Sequence, residues 1–155
     1  MKLRNAENKD IPRLGELLLQ VLEVHHSARP DLFKSGATKY TNAELFEILK
    51  DENRPIFVAE ENGEVVGYVF CILVQYKDSN ILTDIKTLYI DDLCVDENVR
   101  GKGIGHSLYN YVVEYAKACG CYNVTLNVWA DNKSALAFYE KIGLHKQKIG
   151  MELIL

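Results

Sequence analysis

The 155-residue chain predicts a mixed α/β fold, a mostly antiparallel sheet flanked by helices with a central parallel strand pair. Two observations carry this expectation. Pro55 to Tyr76 holds two β-rich runs joined by Asn62-Gly63, a dipeptide suited to the left-handed backbone of a type I′ hairpin turn. Farther along, an apolar run, a glycine-rich loop, a strongly periodic helix and a second apolar run follow one another from Leu88 to Trp129. A strand, helix and strand in that order make a right-handed crossover when the two strands are parallel. No repeat, low-complexity tract or second domain is visible, so residues 1–155 read as one domain.

Each element has its own signal. Lys2–Asn5 reads as a first strand. Asp10 is placed to cap a helix that tolerates Pro12 in its first turn and buries Ile11, Leu14, Leu18, Val21 and Leu22. Pro30 breaks it, because the residue before a proline is pushed out of helical backbone. Thr41-Asn-Ala-Glu44 is a capping box opening a second helix through Phe46 and Leu49. The hairpin follows, its second strand long and apolar enough to lie centrally. Asp78–Ile81 then interrupts the chain before a fourth strand, surest from Leu88 to Val95. Ile104, Leu108, Tyr111, Val112, Tyr115, Ala116 and Cys119 form one apolar stripe on a helix that Gly120 closes. Tyr122–Trp129 reads as a fifth strand. The last helix is capped by Asp131 or Asn132, turns Ala135, Phe138, Tyr139 and Ile142 inward and ends at Gly143. Two short final strands are expected at 145–149 and 151–155, around Gly150.

Composition narrows the function. Lys and Arg number 18 against 22 Asp and Glu, a net charge of −4, which argues against nucleic acid as the partner. There is no apolar run long enough for a membrane span, and the N-terminus has no signal-peptide core, so a cytoplasmic location is expected. Cys71 and Cys94 lie in apolar strands and read as core residues. Cys119 and Cys121 have no matching pair, and adjacent His25 and His26 point in different directions on a helix, so no metal site is expected.

The most informative stretch is Val99-Arg-Gly-Lys-Gly-Ile-Gly105, where the fourth strand gives way to a helix. Glycines at alternate positions let a backbone turn tightly and present bare N–H groups, and a helix start adds orphan donors and partial positive charge. Phosphate is the natural guest of such a site. A Walker loop needs Gly-Lys-Ser/Thr at its end, and a dinucleotide fingerprint needs a different glycine spacing. The remaining pattern, Arg100, Gly103 and Gly105, resembles the pyrophosphate loop of the GCN5-related N-acetyltransferase (GNAT) superfamily. A second motif agrees. Asn132, Ala135, Phe138, Tyr139, Lys141, Gly143 and Leu144 fall on the pattern this superfamily carries after its loop. The close resemblance covers Leu88 to Leu144.

The resemblance implies acetyl-CoA as cosubstrate, entering where the parallel strands splay. It implies cofactor contacts from Leu93, Cys94 and Val95, from Arg100, Gly101, Lys102, Gly103, Ile104 and Gly105, and from Asn132, Ala135, Tyr139 and Lys141. Tyr139 takes the place of the tyrosine that assists the leaving thiolate; packing of Phe138-Tyr139 on the sheet is the other reading. Asp91 and Asp92 interrupt an apolar strand, where consecutive residues face opposite ways, so Asp92 would share a face with Ile90 and Cys94. They resemble the Glu-Asp pair of polyamine and thialysine acetyltransferases, which implies Asp91 as base, directly or through water, and Asp92 as a binding carboxylate. The shorter Asp91 in place of Glu favours the water relay. A bend or bulge that brings both acids to solvent or to a cation is the alternative. The loop after the first helix implies Glu23, His26, Arg29, Asp31 and Phe33 as acceptor residues, with the acids converging on a cationic amine. The chain is thus expected to acetylate a small polyamine-like or aminoglycoside-like amine. A protein N-terminal or lysine acetyltransferase and a non-catalytic acyl-CoA sensor are the competing readings. A homodimer is expected from the resemblance alone.

Overall fold

The computed structural model describes residues 1–155. Strands β1 (Lys2–Asn5), β2 (Ile56–Glu61), β3 (Glu64–Gln75), β4 (Lys86–Val95) and β5 (Asn123–Leu126) lie side by side in chain order. The first four pair antiparallel, and β5 runs parallel to β4. Helices α1 (Ile11–Ala28) and α2 (Asn42–Ile48) cover one face, and α3 (Ile104–Ala118) covers the other. Helix α4 (Lys133–Lys141) follows β5. No helix is long and apolar enough to cross a membrane.

Local chemistry explains most boundaries. Asn62 and Gly63 take φ values of 51° and 84°, both positive, as the type I′ turn requires. Thr41 Oγ1 accepts from the Glu44 N–H at 3.2 Å and Glu44 returns the bond to the Thr41 N–H at 2.7 Å, so the capping box forms. Asp10 stands at the head of α1 but its side chain does not cap that helix. Its carboxylate is taken by the Arg4 guanidinium at 2.7 and 2.9 Å and by the Glu7 N–H at 2.8 Å, because a bidentate fork to a full charge outweighs a single cap bond to a backbone N–H.

The sheet faces bury two layers. Leu14, Leu17, Leu18, Leu45 and Ile48 pack on Ile56, Val58, Tyr68 and Phe70. Ile104, Leu108, Val112 and Ala116 pack on Phe57, Val69, Leu88 and Ile90, with Tyr111 and Tyr115 meeting the Phe57 ring edgewise at 5.1 and 4.9 Å. Each fully buried aliphatic side chain contributes about 1.5–3 kcal/mol. In α2 the inward residues are Leu45 and Ile48, with Leu49 half-buried; Phe46 is exposed beneath the Lys50 ammonium.

Two irregularities shape the far end of the sheet. Phe70 pairs with Asp92 and Cys71 with Ile90, so Asp91 is an extra residue in β4. Then β5 pairs with β4 only over Thr87–Ile90, after which the parallel strands part and Asp91–Val95 has no neighbour from β5. The sheet also ends there. The stretches 145–149 and 151–155 form no strands, so the parallel pair lies at the edge and not at the centre. The tail passes over the end of α1, where Glu152 Oε1 meets Arg29 Nη1 at 2.5 Å. Its own apolar pattern is strand-like, but a ladder needs a partner, and this contact lies at Arg29 rather than along β5.

Gly67 tests how closely β3 and β4 are packed. A Cβ there would stand 2.9 Å from the Cys94 carbonyl oxygen and 3.2 Å from Leu108 Cδ1. Gly67→Ala is expected to lower stability by about 1–3 kcal/mol through strand displacement, read as a lower urea midpoint at unchanged slope.

Candidate functional site

The loop that opens α3 is an anion cradle. Gly101 and Gly103 have φ values of 84° and 78°, in the left-handed region, and Gly103 is the cap residue of α3. This turn leaves the backbone N–H groups from Gly101 to His106 without an acceptor in the chain; the first helical bond after them is Ser107 N–H to Gly103 O at 3.0 Å. Arg100 latches the loop to the end of β4 through Nε to the Val95 carbonyl at 3.1 Å. Lys102 is exposed beside it. Unpaired donors, a helix dipole and two cations suit a phosphorylated ligand. Gly105 has a further task, since a Cβ there would stand 3.4 Å from Phe138 Cζ, and its absence lets α4 approach the first turn of α3.

The parted strands lie next to this cradle. The side chains of Leu93 and Val95 pack toward α3. The Cys94 side chain is buried among the α1 contacts, its Sγ 3.8 Å from the Leu17 carbonyl, and burial pushes its thiol up to about 12. Asn132 caps α4, its Oδ1 accepting from the Ala135 N–H at 3.2 Å. Tyr139 is half-buried on α4, with its ring 5.2 Å from that of Phe138, while Lys141 is exposed at the far end.

The bulge in β4 settles where the two acids go. Side-chain alternation resets at Asp91, so Leu88, Ile90, Leu93 and Val95 all serve the α3 face. Asp92 therefore does not share a face with Ile90, as strict alternation implied. Asp91 and Asp92 both turn toward the α1 and α2 side. Asp91 Oδ2 accepts from the Tyr40 hydroxyl at 2.6 Å, and Oδ1 pairs with Lys39 Nζ at 2.8 Å. The Tyr40 oxygen in turn accepts from Arg54 Nη2 at 3.0 Å. Asp92 has no ion pair; the Tyr68 hydroxyl donates to it at 3.2 Å. Burial pushes the Asp92 carboxyl up to about 6, with the Lys39 charge and the Tyr68 bond opposing and Asp91 adding to the shift. Burial, reinforced by the Asp92 charge, pushes the Tyr139 phenol up to about 12. One group is poised to exchange a proton near neutral pH and the other stays protonated, the separation that acid–base chemistry uses.

A cavity of about 250 Å³ lies between the end of α1 and the start of α4. Arg29 and Phe33 line it, as do His25, Trp129, Asn132 and Lys133. Phe33 stacks on His25 at 5.0 Å and meets Trp129 edgewise at 5.3 Å. Burial, then the nearby Lys39 charge, holds His25 below its ordinary value, so it is neutral at pH 7. The other predicted acceptor residues brace the loop. Glu23 accepts from the Gly36 N–H at 2.7 Å, His26 Nδ1 lies 2.7 Å from the Phe33 carbonyl, and Asp31 pairs with Arg29 at 2.7 Å. The expected convergence of acids is not formed. His25 and Trp129 were missed; the chain's lone tryptophan, at the end of an apolar run beside the second motif, was the available signal.

The site thus combines a loop suited to an anion at the head of α3, the point where β4 and β5 part, and two titratable groups with raised values, Asp92 and Tyr139. Comparison with known proteins gives the family. The acetyltransferase (GNAT) family model matches residues 19–144, and the chain belongs to that family. An uncharacterized N-acetyltransferase, YhfO of Bacillus subtilis (strain 168), is 31% identical over 144 residues, 92% of this chain and 89% of that protein. An uncharacterized N-acetyltransferase of Methanocaldococcus jannaschii is 35% identical over 105 residues, 66% of this chain but 44% of its own length. The x-ray structure of a tetramutant of the BH1408 protein from Bacillus halodurans matches over 100% of both chains, with a TM-score of 0.95 and 33% identity.

Asp92 should make folding pH-dependent in a defined direction. Its folded value of about 6 lies above the ordinary 3.8, so the native state loses stability as pH rises through that interval and regains none above it. Asp92→Asn removes the ionisable group. It is expected to stabilise the protein by about 1–3 kcal/mol at pH 8, with the lower end set by solvent reaching a partly exposed side chain. At pH 3.5 the gain should vanish. Urea unfolding at both pH values reads the difference, and an equal gain at both would place the cause in packing instead.

Proposed function

We propose that the protein is an acetyl-CoA-dependent N-acetyltransferase acting on a compact primary amine with a single positive charge. The observation that carries this reading is Asp92, a carboxylate with no cationic partner, within the electrostatic reach of Tyr139 and beside the parted strands. The carrier's pyrophosphate fits the unpaired N–H groups of Gly101 to His106, with Arg100 and Lys102 at the rim. Its pantetheine arm fits the gap beside Leu93–Val95, where β4 lacks a neighbour. Asn132, Ala135 and Tyr139 on α4 complete that wall.

The thioester supplies an acyl carbon open to attack by a neutral amine. At pH 7 an alkyl ammonium must first give up a proton, a cost of about 4–5 kcal/mol at 1.36 kcal/mol per unit. Asp92 accepts it, directly or through one water, and its partly exposed side returns the proton to solvent. This assigns to Asp92 the role that the resemblance gave to Asp91. Asp91, already held by Tyr40 and Lys39, fixes the bulge that aims Asp92. The Tyr139 hydroxyl donates to the departing sulfur; its high value keeps it protonated throughout and makes it a hydrogen-bond donor before it is a full acid.

The acceptor's size and charge follow from the cavity. A volume of about 250 Å³ suits a small molecule better than an extended peptide. The rings of Phe33 and Trp129 favour an organic cation. Glu23 and Asp31 are committed to the loop and to Arg29, which leaves Asp131 as the one acid lining the cavity, too few for a polycation.

Three outcomes test this. Gly103→Val forces a side chain onto a φ of 78° at the cap of α3 and should abolish measurable CoA binding by calorimetry while the protein stays folded. Tyr139→Phe should lower turnover by roughly 10–1,000-fold with CoA affinity near normal. Release of CoA thiol, followed over monoamines, polyamines, aminoglycosides and N-terminal peptides, should be fastest with a monoamine. With that acceptor the rate should rise through about pH 6 as Asp92 ionises, and Asp92→Asn should lose that step. A retained step would move the base elsewhere.

A further inference from the structure

Lys39 stands where the proposed reaction needs an amine. Its Nζ lies 2.8 Å from Asp91 Oδ1 and 3.0 Å from the Asp91 carbonyl oxygen. Asp91 adjoins Asp92 in sequence and lies just past Ile90, where pairing with β5 ends. The Lys39 charge acts on the Asp92 carboxyl and also on His25 in the cavity wall. Other paired lysines are placed differently. Lys9, Lys50, Lys117 and Lys146 meet carboxylates that are more than half exposed, whereas the Asp91 side chain is 13% exposed.

The ammonium is held but not trapped. Its side chain is 41% exposed, on the loop between α1 and α2, and ends a flexible four-carbon stem. The next residue fixes the root of that stem. Tyr40 donates to Asp91 at 2.6 Å, accepts from Arg54 at 3.0 Å and stacks on Phe70 at 5.7 Å. A fixed root and a mobile tip keep the amine beside the parted strands, and such proximity makes a reaction within one molecule fast.

We propose that Lys39 is an acceptor built into the chain: when no external amine occupies the cavity, the protein acetylates its own Lys39 Nζ. This rests on the acetyltransferase reading above and adds a modification site to it. The Lys39 ammonium gives one proton to Asp92, directly or through water. The neutral nitrogen then bonds to the acyl carbon as the carbon–sulfur bond of the thioester breaks. A second proton leaves the nitrogen as the amide forms, and one proton ends on the sulfur. The net products are acetyl-Lys39, CoA thiol and one released proton.

The mark would act on the site that makes it. Asp92 is faced by Asp91 on its own strand, Tyr68 on β3, Lys39 on the loop and Tyr139 on α4. Lys39 supplies the positive charge in this group, and acetylation removes it. Asp92 then stays protonated to higher pH and accepts a proton less readily at neutral pH. Acetyl-Lys39 is thus a brake, set when the acyl donor outlasts its acceptor.

Full-length protein, shown by mass to be unmodified, is incubated with trideuteroacetyl-CoA and no amine, then weighed intact and mapped by peptide. Label should reach Lys39 at least about ten-fold faster than the exposed Lys77 and Lys148, at a rate independent of protein concentration. Tyr139→Phe should slow it by at least about ten-fold, as should a saturating monoamine. Lys39→Arg should remove the fast label. Apart from turnover, the Asp92 titration followed by carboxyl carbon NMR should move up in Lys39→Gln and stay in place in Lys39→Arg. Equal labelling of the three lysines, or an unchanged Lys39 rate in Tyr139→Phe, is chemical acetylation and overturns the proposal. So does a rate that rises with protein concentration. An unmoved Asp92 titration in Lys39→Gln overturns the brake. CoA thiol release with a monoamine, read on the same protein, separates the two readings. Turnover with Lys39 unlabelled overturns self-acetylation alone, and neither turnover nor label overturns the acetyltransferase reading with it.

Discussion

The extra residue at Asp91 in β4 is the constraint on which the site depends. A regular strand would send Asp91 and Asp92 to opposite faces and bury one of them among the α3 contacts. The bulge sends both to the α1 and α2 side and lets Leu93 and Val95 keep the α3 face closed. It also adds local twist, as bulges do. Parallel pairing with β5 stops at Ile90, the residue before the bulge, so the departure of β5 and the turning of the acids occur at one point in the chain. The opening between the strands and the placement of Asp92 beside it thus have a common structural origin.

Lys39 gives that arrangement its electrostatic balance. Two adjacent carboxylates on one face repel, and removal from water makes the repulsion stronger. Lys39 pairs with the Asp91 side chain and bonds to its backbone carbonyl at 3.0 Å, while Tyr40 donates to the other oxygen. Asp91 is thereby spent on structure, and one negative charge, that of Asp92, is left facing the site. Tyr40 is itself held by Arg54 and stacked on Phe70 at 5.7 Å, which ties the loop between α1 and α2 to the sheet at the position of the bulge. The ammonium's charge reaches His25 as well, adding to the burial that holds it below its ordinary value.

Much of this was legible in the residues, for a physical reason. The hairpin turn at Asn62-Gly63, the Thr41 capping box, the stripe on α3 and the glycine loop at its head are written in neighbours a few residues apart, and the structure forms each of them. What was not legible depends on pairing between distant residues. Asp10 looks like a helix cap until Arg4 arrives from the first strand. The bulge exists only relative to Phe70 and Cys71 across the ladder. His25 and Trp129 become neighbours of one cavity only after α1 and the end of β5 are brought together. The tail is the sharpest instance: its apolar residues suggest strands, yet a ladder needs a partner and none lies beside 145–155.

The carboxylate to which we assign the proton transfer is also the one the fold holds least comfortably. Asp10 and Asp96 are both buried, and both are held by arginines, Arg4 and Arg13, so their ionised forms cost little. Asp92 has neutral donors alone, the Tyr68 hydroxyl and the Leu93 N–H. An arginine in the same place would stabilise the fold, but it would hold the carboxylate firmly ionised and leave it too weak a base to take a proton from an amine. The missing counter-ion is therefore consistent with function, because a group that must gain and lose a proton near neutral pH cannot be fully paired in either state. Stability is recovered elsewhere, in the two apolar layers and the arginine-held acids at the ends of the sheet.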